Sequence, residues 1–278
     1  MKINLDIKNF IIKFVTNKFE YKYNFTYPNQ KYSIDQIIDG LLLILKTGIS
    51  YNEYEKINKI ISGKTINRHL CFFRNNKIFE DIYKCLLEKY FKINKTKKLK
   101  YQLVDSTFIF NQYNVKNVGR NKFYKGKKGI KLSCLTDVNG IPISILIDKG
   151  NKNDAKFISD HLNKILIMPN TIKYKNHNRY KQYILADKGY SSNEVRQLFR
   201  LNGYIPIIPY NKRNTKDINK IKYLTNKEKQ IYKKRIRIEN LFSWLKKNKR
   251  IKELNEKSIE SYLTFLYMSL IKILLKKI

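Results

Sequence analysis

Three carboxylates and two cations in this chain have the types and spacing for chemistry at a metal centre. Over Tyr232 to Lys246, YKKRIRIENLFSWLK, a helix turning about 100° per residue would bring Tyr232, Arg235 and Lys246 within roughly 40° of Glu239. Ile231, Ile238, Leu241 and Leu245 fall on a separate arc and form an apolar stripe for burial. Alone, the pattern also fits an amphipathic surface helix on which Arg235 and Glu239 make an i,i+4 pair. Two upstream aspartates add weight to the first reading, because Asp105 and Asp187 each stand at or near the end of an apolar run. Two Asp and one Glu supply hard oxygen ligands, which suit Mg²⁺ or Mn²⁺ and can hold two ions roughly 3.5 to 4 Å apart.

The elements that would position these groups change character along the chain. Residues 1 to 95 read as helical. Ser33 can cap a helix with apolar positions Ile34, Ile37, Ile38, Leu41, Leu42 and Leu45, and Gly48 can stop it. After Gly63, apolar residues at helical spacing alternate with Lys64, Arg68, Arg74 and Lys77, which fits a helix-turn-helix in a DNA groove or a plain helical bundle. The charged run Ile93 to Lys100 marks a linker, which gives two domains, 1–95 and 96–278.

Beyond the linker, Tyr101 to Asp105, Ile130 to Asp137 and Ile141 to Ile147 read as three strands, the last two joined through Asn139 and Gly140 as a hairpin. A helix from Asp154, a strand from Tyr183 to Ala186, a helix capped by Ser191 or Ser192, and a strand from Tyr204 to Pro209 follow. Strands, helix, strand, helix, strand and helix is the order of an RNase H-like, retroviral-integrase-like mixed sheet. In that order the first and fourth strands lie side by side, so Asp105 would meet Asp187, and the last helix could bring Glu239 over both.

Lys and Arg number 58 against 22 Asp and Glu in 278 residues, a formal charge of +36. AT-rich coding explains part of the Lys and Asn excess but not the scarcity of acids, and such a balance calls for a polyanion, with nucleic acid first. Cys71, Cys85 and Cys134 are too few and scattered for a disulfide framework or a zinc site. The N-terminus lacks a signal-peptide cleavage site, and the final run SYLTFLYMSLIKILL is shorter than the roughly 20 residues a bilayer needs. No membrane association is expected, and the C-terminal run reads as a packed helix.

The blocks Asp105-Ser106-Thr107, KGKKGIKLSCLTDVNGIPISILIDKGNKNDAKF and ADKGYSS, with Tyr232, Arg235, Glu239 and Lys246 at the spacing Y-x2-R-x3-E-x6-K, resemble the DDE transposases of insertion sequences. The resemblance covers most of residues 100 to 250, and the branch it suggests is that of insertion sequences 5 and 4. It implies an RNase H-like catalytic domain behind a small all-helical domain. It also implies cut-and-paste transposition, with metal-dependent cleavage at transposon ends followed by strand transfer. Asp105, Asp187 and Glu239 would be the catalytic ligands of two Mg²⁺ or Mn²⁺ ions. Water and then a DNA 3′-hydroxyl would attack, so no side chain need do so. Tyr232, Arg235 and Lys246 would hold phosphates near the cut end. The implied partner is double-stranded DNA, at both transposon ends and target, with the protein as a homodimer on it and acting inside the cell wherever that DNA lies. The alternative is a stand-alone or retained metal-dependent nuclease of the same fold, or a non-catalytic DNA-binding derivative.

Lys125, Lys127 and Lys128, and likewise Lys212, Arg213 and Lys216, could track phosphates or belong to solvated loops. Arg68 and Arg74 could serve the helical domain in the same way. Asp137 reads as a turn residue and Asp154 as a helix cap rather than as metal ligands. His69, His161 and His177 read as core or surface histidines, Ser106 is not a nucleophile, and Trp244 reads as core.

Overall fold

The computed structural model describes residues 2–19, 31–94, 99–112, 116, 118–166, 181–211 and 223–278. The elements in chain order are α1 (Lys2–Phe19), α2 (Ile34–Thr47), α3 (Tyr51–Ile57), α4 (Gly63–Asn75), α5 (Ile78–Asn94), β1 (Tyr101–Asn111), β2 (Gly119–Asn121), β3 (Lys127–Thr136), β4 (Pro142–Lys149), α6 (Phe157–Asn163), β5 (Gln182–Leu185), α7 (Asn193–Leu201), β6 (Tyr204–Ile207), α8 (Asn226–Tyr232), α9 (Ile236–Lys246), α10 (Lys249–Lys252), β7 (Glu253–Leu254) and α11 (Ile259–Leu274). They divide into two compact units.

The first unit comprises Met1–Tyr90, Asn111–Lys116 and Leu245–Ile278. Ser33 caps α2 in a capping box with Gln36, and Gly48 ends it in the left-handed region at φ 74°, as the sequence suggested. The buried face of α2 carries Ile37, Ile38, Leu41, Ile44 and Leu45, and α4 contributes Ile66, Leu70 and Phe73. α11 is buried along nearly its whole length, through Tyr262, Phe265, Leu266, Met268, Leu270 and Ile271, so the final apolar run is a packed helix. No helix among the described residues is long and apolar enough to cross a membrane. The N-terminal stretch of the first unit ends at Tyr90, within α5. The C-terminal helix, placed with the sheet on sequence grounds, lies instead in the unit of the N-terminal helices.

The second unit comprises Phe91–Phe110 and Asn117–Trp244. Its strands run in the order β4-β3-β1-β5-β6. β3 is antiparallel to β1 and to β4, while β5 is parallel to β1 and β6 is parallel to β5. Three antiparallel strands extended by two parallel ones, with helices in the crossovers, is the RNase H-like order. The β3–β4 hairpin turns at Gly140, whose φ of 80° requires a residue without a Cβ.

Two details differ from the sequence reading. β1 does not stop at Asp105 but continues through Ser106 to Asn111, pairing with β3 as far as Phe110 and Gly129. The β-branched and aromatic run Thr107 to Phe110 sustains the ladder beyond the polar Asp-Ser pair. The segment Tyr232 to Lys246 is not one α-helix either. α8 ends at Tyr232, Lys233–Arg235 form a 3₁₀ turn, and α9 starts at Ile236, so the uniform 100° wheel does not hold across Arg235.

Candidate functional site

The parallel register pairs Leu103 with Leu185. Two residues further along each path lie Asp105, within β1, and Asp187, which follows β5 and caps a 3₁₀ turn over Lys188–Tyr190. Parallel pairing thus brings the two aspartates to one place on the sheet. The Asp187 side chain accepts a hydrogen bond from its neighbour Lys188 N at 2.5 Å. Asp105 is held more tightly, with Oδ1 accepting from Ser106 N at 2.9 Å and Oδ2 from Arg235 Nη2 at 2.6 Å.

Arg235 links the remaining groups. Its Nη1 donates to the Tyr232 hydroxyl at 3.0 Å, and its Nη2 stands 3.8 Å from Glu239 Oε1. The 3₁₀ turn sends the guanidinium to Asp105 first, with the expected i,i+4 approach to Glu239 the looser of the two contacts. The Nε of Arg235 is buried without a hydrogen-bond partner. The Glu239 side chain is about half exposed, at 52%.

The electrostatics follow from this crowding. Burial pushes the Asp105 carboxyl above the usual carboxylate range and Asp187 adds to that shift, while Arg235 and the Ser106 N–H oppose it. Burial also raises the Tyr232 phenol, against the lowering effect of Arg235.

Among the described residues, no three His, Cys, Asp or Glu side chains are gathered closely enough to hold a metal ion as they stand. The donor chemistry nevertheless fits a hard divalent cation, because Asp105, Asp187 and Glu239 offer only carboxylate oxygens around a single positive group. A guanidinium already bridges two of these carboxylates, so an ion would compete with Arg235 for Asp105.

A second set of groups adjoins Asp105 and was not legible from spacing. The Ser106 hydroxyl donates to Asp154, whose carboxylate also pairs with Lys131 Nζ at 2.9 Å. Lys131 in turn donates to the Lys152 carbonyl at 2.8 Å. Tyr190 is buried beside this set, its phenol pushed well above its ordinary value by burial and then by Asp154 and Asp105. The expectation that Asp154 caps a helix is corrected: Asn153 caps the 3₁₀ turn Asp154–Lys156, which frees the Asp154 carboxylate for Ser106 and Lys131. Lys131 faces Phe108 across the β1–β3 ladder. That partnership depends on strand register, which no local motif reveals.

The other sequence candidates are placed as follows. Asp137 is a fully buried turn residue whose Oδ1 accepts from Asn139 N and Ile141 N, both at 2.9 Å. His161 is a core residue held between the Ser133 and Ser144 hydroxyls at 2.8 and 2.9 Å. Trp244 is half-buried. Lys125, Lys127 and Lys128 are exposed around the turn between β2 and β3. In the first unit Arg68 is exposed, whereas Arg74 turns inward and donates to Ser261 Oγ at 3.1 Å. Lys246 ends α9, with its ammonium pKa lowered by burial and by Lys252. Lys212, Arg213, Lys216 and His177 lie outside the described residues.

A search of curated proteins found no match to the chain. Among solved structures, the catalytic domain of the Mos1 mariner transposase aligns at 11% identity over 60% of this chain and 87% of that one, with a TM-score of 0.29. The Mos1 mariner paired-end complex with Mn aligns at 11% identity over 80% of each chain, with a TM-score of 0.28. The Mos1 strand transfer complex aligns at 12% identity over 80% and 79%, with a TM-score of 0.26. These are remote likenesses. The family model of the transposase DDE domain, by contrast, matches residues 97–275, well over half of the sequence, and the chain belongs to that family of DNA transposases.

Proposed function

We propose that the chain cuts and joins DNA at the ends of a mobile element, with Asp105, Asp187 and Glu239 as its catalytic residues. The observation that carries this reading is the meeting of Asp105, within β1, and Asp187, just past the end of the adjacent parallel strand β5, with Arg235 and Glu239 delivered to the same place by the segment after α8. Enzymes of this family work with divalent metal ions. Here the three carboxylates would hold two, Mg²⁺ or Mn²⁺ by the hardness of the donors. Bound there, the ions would offset the negative charge that builds on the phosphate and on its entering and leaving oxygens.

The protein's own groups divide the remaining work. The Arg235 guanidinium, released from Asp105, can make paired charge-assisted hydrogen bonds to a phosphate, and the Tyr232 hydroxyl 3.0 Å away steadies its orientation. The Ser106 N–H fixes one oxygen of Asp105, and the Ser106 hydroxyl ties the strand to Asp154, so the carboxylate is held before any ligand arrives. The Y-x2-R-x3-E-x6-K spacing supports the insertion-sequence 5 and 4 branch, with Lys246 on a terminal phosphate.

Double-stranded DNA is the proposed partner, on the strength of the +36 charge, with the protein acting as a homodimer on two ends. The helices of residues 1–95 would supply end preference through exposed cations such as Arg68. The test replaces Asp105, Asp187 or Glu239 by Ala and measures binding and nicking on one end-containing duplex. Each variant should bind and fail to cut with Mg²⁺. Wild-type cutting by any one of them would remove that residue from the site, and Asp154 would be the next acid to test.

A further inference from the structure

The turn between β2 and β3 carries the most exposed large apolar side chain among the described residues, Phe123, at 91%. The turn is built to hold it there. Asn121 is buried, its Oδ1 accepts from Phe123 N at 3.0 Å, and its Nδ2 donates to the Gly150 carbonyl at 3.1 Å. Gly126 N closes the turn onto Asn121 O at 3.0 Å, and Lys125 takes the left-handed conformation at φ 52° that this closure requires. The neighbouring ring, Tyr124, stacks on Phe108 at 4.8 Å and meets Phe110 edge-on at 5.6 Å, so one aromatic anchors the turn while the next points outward. Below them the strands touch: a Cβ on Gly150 would lie 2.4 Å from the Phe108 ring, and one on Gly129 would lie 2.2 Å from the Ile109 carbonyl.

The charged residues of the turn and its two strands have one sign. Arg120, Lys122, Lys125, Lys127 and Lys128 are exposed, and no Asp or Glu occurs between Asp105 and Asp137. Arg120 stands directly opposite Lys128 in the β2–β3 ladder, a like-charge pairing that costs stability unless an anion lies across it. A solvent-facing aromatic ring on a hydrogen-bonded turn, flanked by cations, matches a strand of nucleic acid, whose phosphates take the cations and whose unpaired base takes the ring.

We propose that this turn is a DNA contact site in which an unpaired base stacks on Phe123 while Arg120, Lys127 and Lys128 hold the flanking phosphates. The proposal rests on the reading of the chain as a DNA-acting enzyme and assigns a base-stacking element outside its carboxylate centre. Its test compares full-length wild type, Phe123→Ala and Phe123→Tyr, without divalent metal, on a 20-nucleotide single strand and on the matching duplex across a salt series. The single strand carries one 2-aminopurine as a fluorescent reporter of stacking.

The expected result has three parts. Phe123→Ala weakens single-strand binding roughly tenfold or more, weakens duplex binding less, and leaves the salt slope unchanged. It also loses the fluorescence change that wild type gives, whereas Phe123→Tyr keeps both affinity and signal. Lys127→Ala instead lowers the single-strand slope by about 0.7. Phe123→Ala with wild-type affinity and fluorescence change overturns the proposal while leaving the enzymatic reading intact. The same follows if its weakening comes with a lowered thermal midpoint or a new oligomeric state. A wild-type protein that binds neither DNA overturns this proposal and the enzymatic reading together.

Discussion

The Arg235 guanidinium lies 2.6 Å from one Asp105 carboxylate oxygen and 3.8 Å from Glu239. The same cation therefore neutralises the residues that would receive a metal ion. Two unit charges about 4 Å apart interact by about 1 to 4 kcal/mol between bulk water and a protein surface, enough to compete with a weakly held ion. Arg235→Gln should bind Mn²⁺ about tenfold more tightly than wild type in the absence of DNA, a difference of about 1.4 kcal/mol. It should also cleave at least about tenfold more slowly, through the lost phosphate contact. Free Mn²⁺ measured by electron paramagnetic resonance, beside single-turnover rates, separates the two effects. Unchanged Mn²⁺ affinity would mean that Asp105 and Arg235 part without cost.

Asp154 tests whether the Ser106 and Lys131 contacts position Asp105 or only brace the sheet. Asp154→Asn keeps a carbonyl oxygen for the Ser106 hydroxyl but gives up the charge facing Lys131. If the set positions Asp105, the variant should lose several-fold in cleavage rate and keep its DNA affinity and thermal midpoint. Loss of the midpoint with an unaltered rate in the folded fraction would assign the set to stability alone.

Much of this arrangement is legible in the sequence because it is local. The Ser33 and Gly48 caps, the Asn139-Gly140 turn and the Ser192 cap of α7 each depend on a few adjacent residues. The meeting of Asp105 and Asp187 follows from strand order, which the alternation of strand and helix patterns conveys. The break at Lys233–Arg235 was hidden because a single 3₁₀ turn leaves composition and polarity unchanged. The Lys131–Asp154 pair was hidden because cross-strand register depends on the whole ladder. The unit to which α11 belongs was also illegible, since an apolar helix carries no mark of which partner it will bury against.

The first unit holds a buried ion pair whose removal should show how far its N-terminal helices depend on the C-terminal segment. Arg250 is 4% exposed and pairs with Glu256 at 2.6 Å. It also donates to the Gly48 and Ile49 carbonyls at 3.3 and 3.1 Å, just past the end of α2. Arg250→Ala strands a buried carboxylate and two carbonyls, and should cost about 3 to 5 kcal/mol. Arg250→Met combined with Glu256→Leu should recover most of that loss. Urea unfolding of the three proteins checks this, and a single variant within about 0.5 kcal/mol of wild type would show that water replaces the pair. By the same reasoning residues 1–95 expressed alone lack this lock and should be markedly less stable than the intact chain.

The last prediction concerns pH and His161. Its ring is 1% exposed, bridges the Ser133 and Ser144 hydroxyls, and has its pKa depressed by burial from 6.5 to about 3. In the unfolded chain the same histidine titrates near 6.5. As pH falls below that value the unfolded state takes up a proton that the folded state refuses until about pH 3. The stabilising effect of the neutral ring is therefore complete above pH 6.5 and is lost progressively as the pH drops toward 3. Each unit inside that window costs up to about 1.4 kcal/mol. Carboxylates begin to titrate near pH 4, so the measurement belongs between pH 7 and 5, roughly the range where histidine dominates. His161→Gln keeps a polar group for the two serines without a titrating ring, and His69, whose pKa burial also lowers, titrates in both proteins; from pH 7 to 5 the unfolding free energy of wild type should therefore fall by about 2 kcal/mol more than that of the variant. If wild type and variant decline in parallel, protonation of the folded state costs little, and the buried serine bridge does not hold His161 neutral.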